Sequence, residues 1–145
     1  MNLINFLMYL GVTIPLMVFS VMLFSFTTPY KEFEIMSLGD DLENPRKVAA
    51  AKAVAFDIGG KVLGLAILLA SAIYHSVGLW DLTVWTLTGT VFLIIVYWLF
   101  ELLTPTIKVR REIPNGNVAV GIFSFCLSIS TGILMAALIL SLIHI

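Results

Sequence analysis

Long apolar stretches separated by short polar ones make up the chain. Four of them reach the roughly 20 residues that a helix needs to cross a bilayer, and they cover residues 3–26, 53–74, 82–100 and 118–143. Transmembrane strands would be about ten residues long with alternating polarity, whereas these stretches are continuously apolar. A helix also satisfies its own backbone hydrogen bonds in lipid. The pattern predicts an all-α, four-helix transmembrane bundle that forms a single membrane domain over residues 1–145.

The composition agrees with this prediction and excludes other classes of protein. Of 145 residues, 60% are hydrophobic and 12% are charged, against about 45–50% and about 25% in soluble domains. A net charge of −1 provides no basic surface for nucleic acid. The single cysteine, Cys126, excludes an internal disulfide and a multi-cysteine metal site. We therefore expect neither a soluble enzyme nor a nucleic-acid-binding protein.

Lysine and arginine residues are concentrated in two of the polar connections. Seven of the eight lie within residues 27–52 and 101–117, and the eighth is Lys61. Because basic loops stay in the cytoplasm, both connections are predicted to be cytoplasmic loops and both ends of the chain to face outward. Each loop is either a solvated connector or a docking site for a partner. The candidate partner contacts are Glu32, Glu34, Arg110, Arg111, Asn115 and Asn117.

The two halves of the chain, about 1–74 and 82–143, resemble one another. Thr28-Pro29 and Val48-Ala49 in the first half recur in the same order as Thr104-Pro105 and Val118-Ala119 in the second. Each half has two spans, so both halves enter the membrane from the same side. The sequence therefore predicts an internal repeat of two parallel two-helix units related by an axis along the membrane normal.

Asp57 and Lys61 lie inside or at the edge of the second span. They are four residues apart and share a helix face. A charge at the centre of a bilayer costs about 2.5–3.5 kcal/mol on insertion scales. The pair can mark a path for an ion or a proton, or a counter-charge for a substrate. Alternatively, Lys61 extends toward the interface beside Asp57, or the span starts later and leaves both charges near the headgroups.

Small residues at four-residue spacing form a stripe on the second and on the fourth span. Helices in lipid associate by close packing through such residues, so we expect these two spans to cross at the centre and the other two to face lipid. The same stripes also suit a dimer interface. The candidate packing residues are Ala55, Gly59, Gly60, Gly64, Ser124, Ser128, Gly132 and Ala136.

Three segments carry a resemblance to a known family. Residues 28–35 (TPYKEFEI), 60–64 (GKVLG) and 113–121 (IPNGNVAVG) resemble motifs of the YjfL-like proteins, also called domain of unknown function 350. Asp57 and Lys61 depart from it, since the family more often has small or neutral residues there. The resemblance implies a bacterial inner-membrane protein of two tandem two-helix units, associated with envelope stress and membrane remodelling, without a defined chemistry.

Motifs for phosphate, dinucleotide, zinc or serine-hydrolase chemistry are missing from the sequence. His75 and His144 fall at the outer ends of repeat-related spans, but two nitrogen ligands without a suitable carboxylate fit polar helix ends better than a metal or haem site. We expect no catalytic residue, no cofactor and no bound metal.

Two functional interpretations remain. The leading one is a non-enzymatic scaffold or accessory subunit that acts through helix packing and its cytoplasmic loops, with the bilayer, a second copy of the chain or other membrane or cytoplasmic proteins as partners. The competing one is a small dimeric permeation unit for an ion, a proton or a solute, using Asp57 and Lys61. Gly64, Leu65 and Leu68, which follow Lys61 on its helix face, are too apolar for a continuous aqueous route and favour the first interpretation.

Overall fold

The computed structural model describes residues 2–143, with side chains as far as Ser141, so His144 lies outside the described residues. Within that range every regular element is a helix and no strand occurs, which confirms the predicted all-α class. Four helices are long and apolar enough to cross a membrane. The α-helices are α1 (Leu3–Thr27), α2 (Glu32–Ser37), α3 (Pro45–His75), α4 (Leu79–Leu103), α5 (Val109–Glu112) and α6 (Val118–Ile143), and a 3₁₀ turn covers Leu38–Asp40.

Helix α3 begins within the polar connection and continues through the second apolar stretch. Asn44 caps its start by accepting hydrogen bonds from the backbone N–H groups of Arg46 and Lys47, and Pro45 occupies the first helical position, where its missing N–H costs nothing. A helix of 31 residues is about 46 Å long, which exceeds the roughly 30 Å of bilayer hydrocarbon. The first turns of α3 therefore extend beyond the lipid and carry three of the four basic residues of the connection, Arg46, Lys47 and Lys52.

Helices α3 and α6 make the largest interhelical contact of the bundle. Their backbones meet at glycines: a Cβ on Gly60 would lie 2.5 Å from the Cα of Phe125, and a Cβ on Gly132 would lie 2.5 Å from the carbonyl oxygen of Gly64. Side chains at these positions would hold the helices apart, so the small residues set the distance of the crossing. Ser124 and Ser128 are buried in the same interface.

The remaining predicted packing residues are less enclosed, although the carbonyl oxygen of Ala136 accepts a hydrogen bond from Ser71 Oγ of α3 at 2.9 Å. Gly59 and Ala136 are half-buried, and Ala55 is exposed. The reason is the choice of helix face: α3 meets α6 through the side that carries Ala53, Asp57, Gly60 and Gly64. With 3.6 residues per turn, Ala55 points away from that side.

Helices α1 and α4 flank the central pair. Helix α1 contacts α3 and α4, and α4 also contacts α6. Only Ser20 and Phe24 of α1 are fully buried, and large apolar side chains of both helices are exposed, as suits surfaces that lipid covers. The short helices α2 and α5 follow α1 and α4 at one end of the bundle, the short-helix end. The α3–α4 turn at 76–78 marks the opposite end, the hairpin end.

Candidate functional site: a buried charge cluster

Lys61 lies at the centre of a group of charged side chains inside the bundle. Its side chain is 1% exposed and that of Asp57 is 0% exposed. The Lys61 Nζ atom donates to Asp57 Oδ2 at 2.7 Å, one turn earlier on α3, and to Thr28 Oγ1 at 2.8 Å beyond the end of α1. The pair is therefore enclosed by protein, and Lys61 does not extend to the surface of the bundle.

A second carboxylate also pairs with Lys61. Glu32, at the start of α2, accepts a hydrogen bond from Lys61 Nζ and is buried. Its other oxygen accepts from Ser25 Oγ at 2.5 Å. The short connection after α1 brings α2 back against α3, so Glu32 lies inside the protein and not on the partner-contact surface predicted for it. No local signal in the sequence indicated this burial, because Glu32 lies 29 residues before Lys61 in a polar segment with other charges.

Aromatic rings form the walls of the cluster. The Lys61 Nζ atom lies 4.6 Å from the ring centroid of Tyr97, 5.0 Å from that of Phe24 and 5.9 Å from that of Tyr30. Rings at such distances attract an ammonium group through their negative faces. Phe24 and Tyr97 also contact each other edge to face, with centroids 5.5 Å apart. The ammonium is thus held by two carboxylates and by aromatic faces.

Asp57 is held by hydroxyl groups as well as by Lys61. Tyr30 donates its hydroxyl to Asp57 Oδ2 at 2.5 Å, and Ser124 on α6 donates to Oδ1. Tyr30 lies in the connection after α1, where burial, Tyr97 and the negative charge of Asp57 raise its pKa well above the ordinary value. Tyr30 therefore stays protonated and remains a hydrogen-bond donor. Through these contacts the cluster joins α1, α3 and α6.

The cluster carries unequal charge. One ammonium against two carboxylates leaves a formal charge of −1 when all three groups are ionised. Uptake of one proton by the cluster would make the group neutral. Among the described residues, no group of three or more His, Cys, Asp and Glu side chains has the proximity needed to hold a metal ion.

A further buried carboxylate lies near the connection between α4 and α5. Glu101 at the end of α4 is 5% exposed. It accepts a hydrogen bond from the backbone N–H of Val109 at 2.7 Å and lies 3.5 Å from Arg110 Nε. It therefore fastens α5 to α4, much as Glu32 fastens α2 to α3, but without a buried lysine.

The other candidate contact residues lie exposed at the short-helix end. Glu34 pairs with Lys31 at 3.1 Å, and the side chain of Arg110 is 59% exposed. Arg111 pairs with Glu112 at 2.9 Å, and Asn115 and Asn117 are exposed. Hydrogen bonds from Asn117 and Arg111 lower the pKa of Glu112 below its ordinary value. These residues are accessible to a partner.

Two cavities of similar size lie near opposite ends of the bundle. One, of about 550 Å³, is lined by Met22, Ser25, Phe26 and residues 28–34, and includes Glu32 in its wall. The other, of about 540 Å³, is lined by Asn5, Phe6, Tyr9, Leu10, Thr13 and Ile73. The cluster therefore has a cavity beside it at the short-helix end. Along α3 toward the hairpin end, Leu65, Leu68, Leu69 and Ala72 are buried.

Comparisons with known proteins give one family and one relative. A family model described as Domain of Unknown Function (DUF350) matches residues 1–139. The UPF0719 transmembrane protein YshE of Bacillus subtilis (strain 168) is 33% identical over 136 residues, which covers 94% of this chain and 93% of the relative. No solved structure matches. These findings confirm the resemblance seen in the sequence motifs.

Proposed function

The chain belongs to the DUF350 family of membrane proteins, and from that premise we propose that it is a proton-handling permeation unit whose Glu32–Lys61–Asp57 cluster binds and releases one proton. It is a multi-pass membrane protein. In this proposal it is non-enzymatic, uses no cofactor and resides in the bacterial inner membrane. The family description assigns no chemistry, so the proposal depends on the site.

The burial of three ionisable side chains in a membrane domain is the observation that carries the proposal. Glu32, Asp57 and Lys61 are each at most 1% exposed. Apolar residues of similar volume are often as stable as a buried ion pair, or more stable, so packing alone does not account for such a cluster. Ionisable groups within membrane spans mark ion or proton sites by default. Enclosure of Lys61 by Glu32, Asp57 and Thr28 also weighs against the alternative in which Lys61 extends to the surface of the bundle.

The contacts within the cluster suit reversible binding of a proton. The two carboxylates share one ammonium, so a proton on either of them relieves the excess negative charge. Hydroxyls of Ser25 and Ser124 contact the remaining carboxylate oxygens and can rotate to accept or donate. The cavity beside Glu32 gives the proton an approach from the short-helix end, the predicted cytoplasmic side.

Proton flux in proteoliposomes tests this function. A pH gradient is imposed and internal pH is followed for the native protein and for Asp57→Asn and Glu32→Gln, each of which leaves a neutral ion pair. Glu43→Gln is the matched control, because Glu43 is exposed and does not line the cavity beside Glu32. We expect flux in the native protein and the control, and its loss in the two cluster variants. Absence of native flux would overturn the proposal.

A second candidate function is the scaffold or accessory subunit, linked to envelope stress. The buried apolar layer of Leu65, Leu68 and Leu69 on the hairpin side of Lys61 favours it, because that layer leaves no polar route along α3. The exposed Arg110 and Arg111 would provide the docking surface. Photocrosslinking from position 111 in intact cells, with position 42 for comparison, should then capture a second copy or another protein, while proteoliposomes show no flux.

A further inference from the structure

Three buried hydroxyl groups lie between α1 and α4, away from the charge cluster. Ser20 and Thr86 are 1% exposed and Thr90 is 0% exposed. Thr90 Oγ1 lies 3.0 Å from Ser20 Oγ across the helix interface, and it lies 2.7 Å from the carbonyl oxygen of Thr86. Interhelical hydrogen bonds of this kind contribute little on average to the stability of a membrane protein. The small contribution of these hydrogen bonds to stability therefore does not explain why three hydroxyl groups are buried here.

Thr86 adds an observation independent of that pair. Among the described residues its buried hydroxyl oxygen has no hydrogen-bond partner. Buried polar atoms nearly always have a partner, and an exception calls for an explanation such as water or a transported species. Thr86 precedes Thr90 by one turn on α4, so its hydroxyl extends the row of Ser20 and Thr90 toward the hairpin end. We call these three hydroxyls the polar seam.

The seam continues along one face of α1. Asn5, Tyr9 and Thr13 recur every four residues and line the cavity near the hairpin end, and Ser20 lies on the same helix face seven residues later. Helices α1 and α4 run in the same direction, and the Ser20–Thr90 contact fixes their register. At 1.5 Å per residue, Thr86 lies about 6 Å from Thr90 toward the cavity. Along the helix axes, the three hydroxyls therefore lie between this cavity and the charge cluster.

An apolar layer separates the seam from the cluster. Tyr97, beside Lys61, follows Thr90 by seven residues, or about 10 Å along α4. Phe24 and Leu93, which are 1% and 2% exposed, lie in that interval. The polar groups therefore approach the cluster from the hairpin end and stop at a short barrier of large apolar side chains.

We propose that Ser20, Thr86 and Thr90 form the hairpin-side half of the proton route, with Phe24 and Leu93 as its gate. This inference rests on the proposed function and specifies its path, which runs between α1 and α4 from a cavity that α1 forms with Ile73 of α3. A hydroxyl accepts a proton on its oxygen, or on water that it holds from the cavity, while it releases its own to the next acceptor. One proton enters and one leaves, and all covalent bonds are restored.

Thr90→Val and Ser20→Ala test the route, since they remove a hydroxyl with little change in volume. The control is Thr131→Val on α6, because Thr131 is buried and donates to the carbonyl oxygen of Leu127 in its own helix. We expect flux to fall about tenfold or more in the two seam variants, the scale on which one lost hydrogen bond slows a process. Thr131→Val should show native flux. Thr90→Ser, which retains the hydroxyl, should also show native flux, unlike Thr90→Val.

A second measurement separates conduction from folding. Proton uptake by the purified protein after a pH jump reports on the cluster, so it should be native in Thr90→Val and lost in Asp57→Asn. Native flux in Thr90→Val and Ser20→Ala, with flux lost in Asp57→Asn, would overturn the route and leave the proposed function standing. Slow flux in Thr90→Ser would also overturn the route. Absence of native flux would overturn both.

Discussion

Lys61 is the residue on which the charge cluster depends. It is the only basic group of the cluster and contacts both buried carboxylates. Removing one partner of a buried ion pair leaves an uncompensated charge, and the cost is about 3–5 kcal/mol. The three charged residues are therefore unequal: loss of Lys61 leaves two carboxylates, whereas loss of either carboxylate leaves one neutral pair.

We predict that Lys61→Met destabilises the protein by about 3–5 kcal/mol, and that Asp57→Asn and Glu32→Gln each cost clearly less. The reason is the charge that remains, two unpaired acidic groups in the first case and a balanced pair in the others. Equilibrium unfolding in detergent micelles with increasing denaturant measures the differences. Combining all three substitutions should recover most of the stability lost in Lys61→Met, since no charge then remains. Equal losses in the three single variants would contradict this account.

The sequence predicted one half of this cluster. Asp57 and Lys61 stand out because charge is rare in an apolar stretch and because four-residue spacing places both on one helix face. Glu32 does not stand out, since it lies in a polar segment among other charges, and its burial follows from the way in which α2 folds back on α3. The local sequence pattern identifies residues that are unusual for the segment in which they lie. A partner that comes from a polar loop, such as Glu32, can be identified only once the fold is known.

At the scale of elements, the crossing of α3 and α6 depends on direct contact between backbones. A Cβ on Gly64 would lie 2.5 Å from the carbonyl oxygen of Ser128, and a backbone atom cannot move aside as a side chain can. By contrast, a Cβ on Gly11 in α1 would meet nothing within 4 Å.

We predict that Gly64→Ala costs about 1–3 kcal/mol, as overpacking does in a tight interface. Gly11→Ala should be neutral or stabilising by up to about 1 kcal/mol, because alanine is the better helix former. Thermal unfolding of the two variants in the same detergent compares them directly. A destabilised Gly11→Ala beside a native-like Gly64→Ala would refute the close crossing.

The corner between α5 and α6 depends on Asn117. Its side chain donates to Glu112 Oε2 at 3.1 Å, and its Oδ1 accepts from the backbone N–H of Val120 at 3.4 Å, as a helix cap does. Because its pKa is lowered in the folded protein, ionised Glu112 stabilises the fold above its ordinary pKa. This contribution is lost as pH falls through the lowered value.

We predict that Asn117→Ala removes about 1 kcal/mol of stability through the lost cap and raises the pKa of Glu112 toward its ordinary value. A carboxyl titration followed by NMR in micelles gives that pKa, and denaturant unfolding gives the stability. Asn115→Ala, at an exposed position nearby, should leave both quantities unchanged. If the pKa of Glu112 is the same in Asn117→Ala as in the native protein, Arg111 and not Asn117 is the residue that lowers it.

At the scale of the whole molecule, the number and length of the apolar stretches were enough to predict the bundle. Continuous apolar stretches have one stable solution in lipid, the helix, and the glycines at 60, 64 and 132 indicated which helices meet. The start of α3 was not predictable from hydropathy, because its first turns are polar and depend on the Asn44 cap. Likewise, the seam between α1 and α4 consists of single hydroxyls that look ordinary until Thr90 and Ser20 are brought together.

The orientation of the bundle in the membrane decides which half of the proton route faces the cytoplasm. The positive-inside rule places the short-helix end, with seven of the eight basic residues, in the cytoplasm. Leu42 and Val77 lie at opposite ends and are 81% and 93% exposed. In a Cys126→Ser background, we predict that Val77→Cys reacts with a membrane-impermeant maleimide in intact cells, and that Leu42→Cys reacts only after permeabilisation.

Cys126→Ser without an added cysteine is the control and should give no signal in either condition. The predicted pattern would put the cavity beside Glu32 on the cytoplasmic side, so that a proton from the cytoplasm reaches the carboxylates first and meets the Phe24–Leu93 gate afterwards. The reverse pattern would contradict the charge rule for this chain. It would also make the hydroxyl seam the cytoplasmic half of the route.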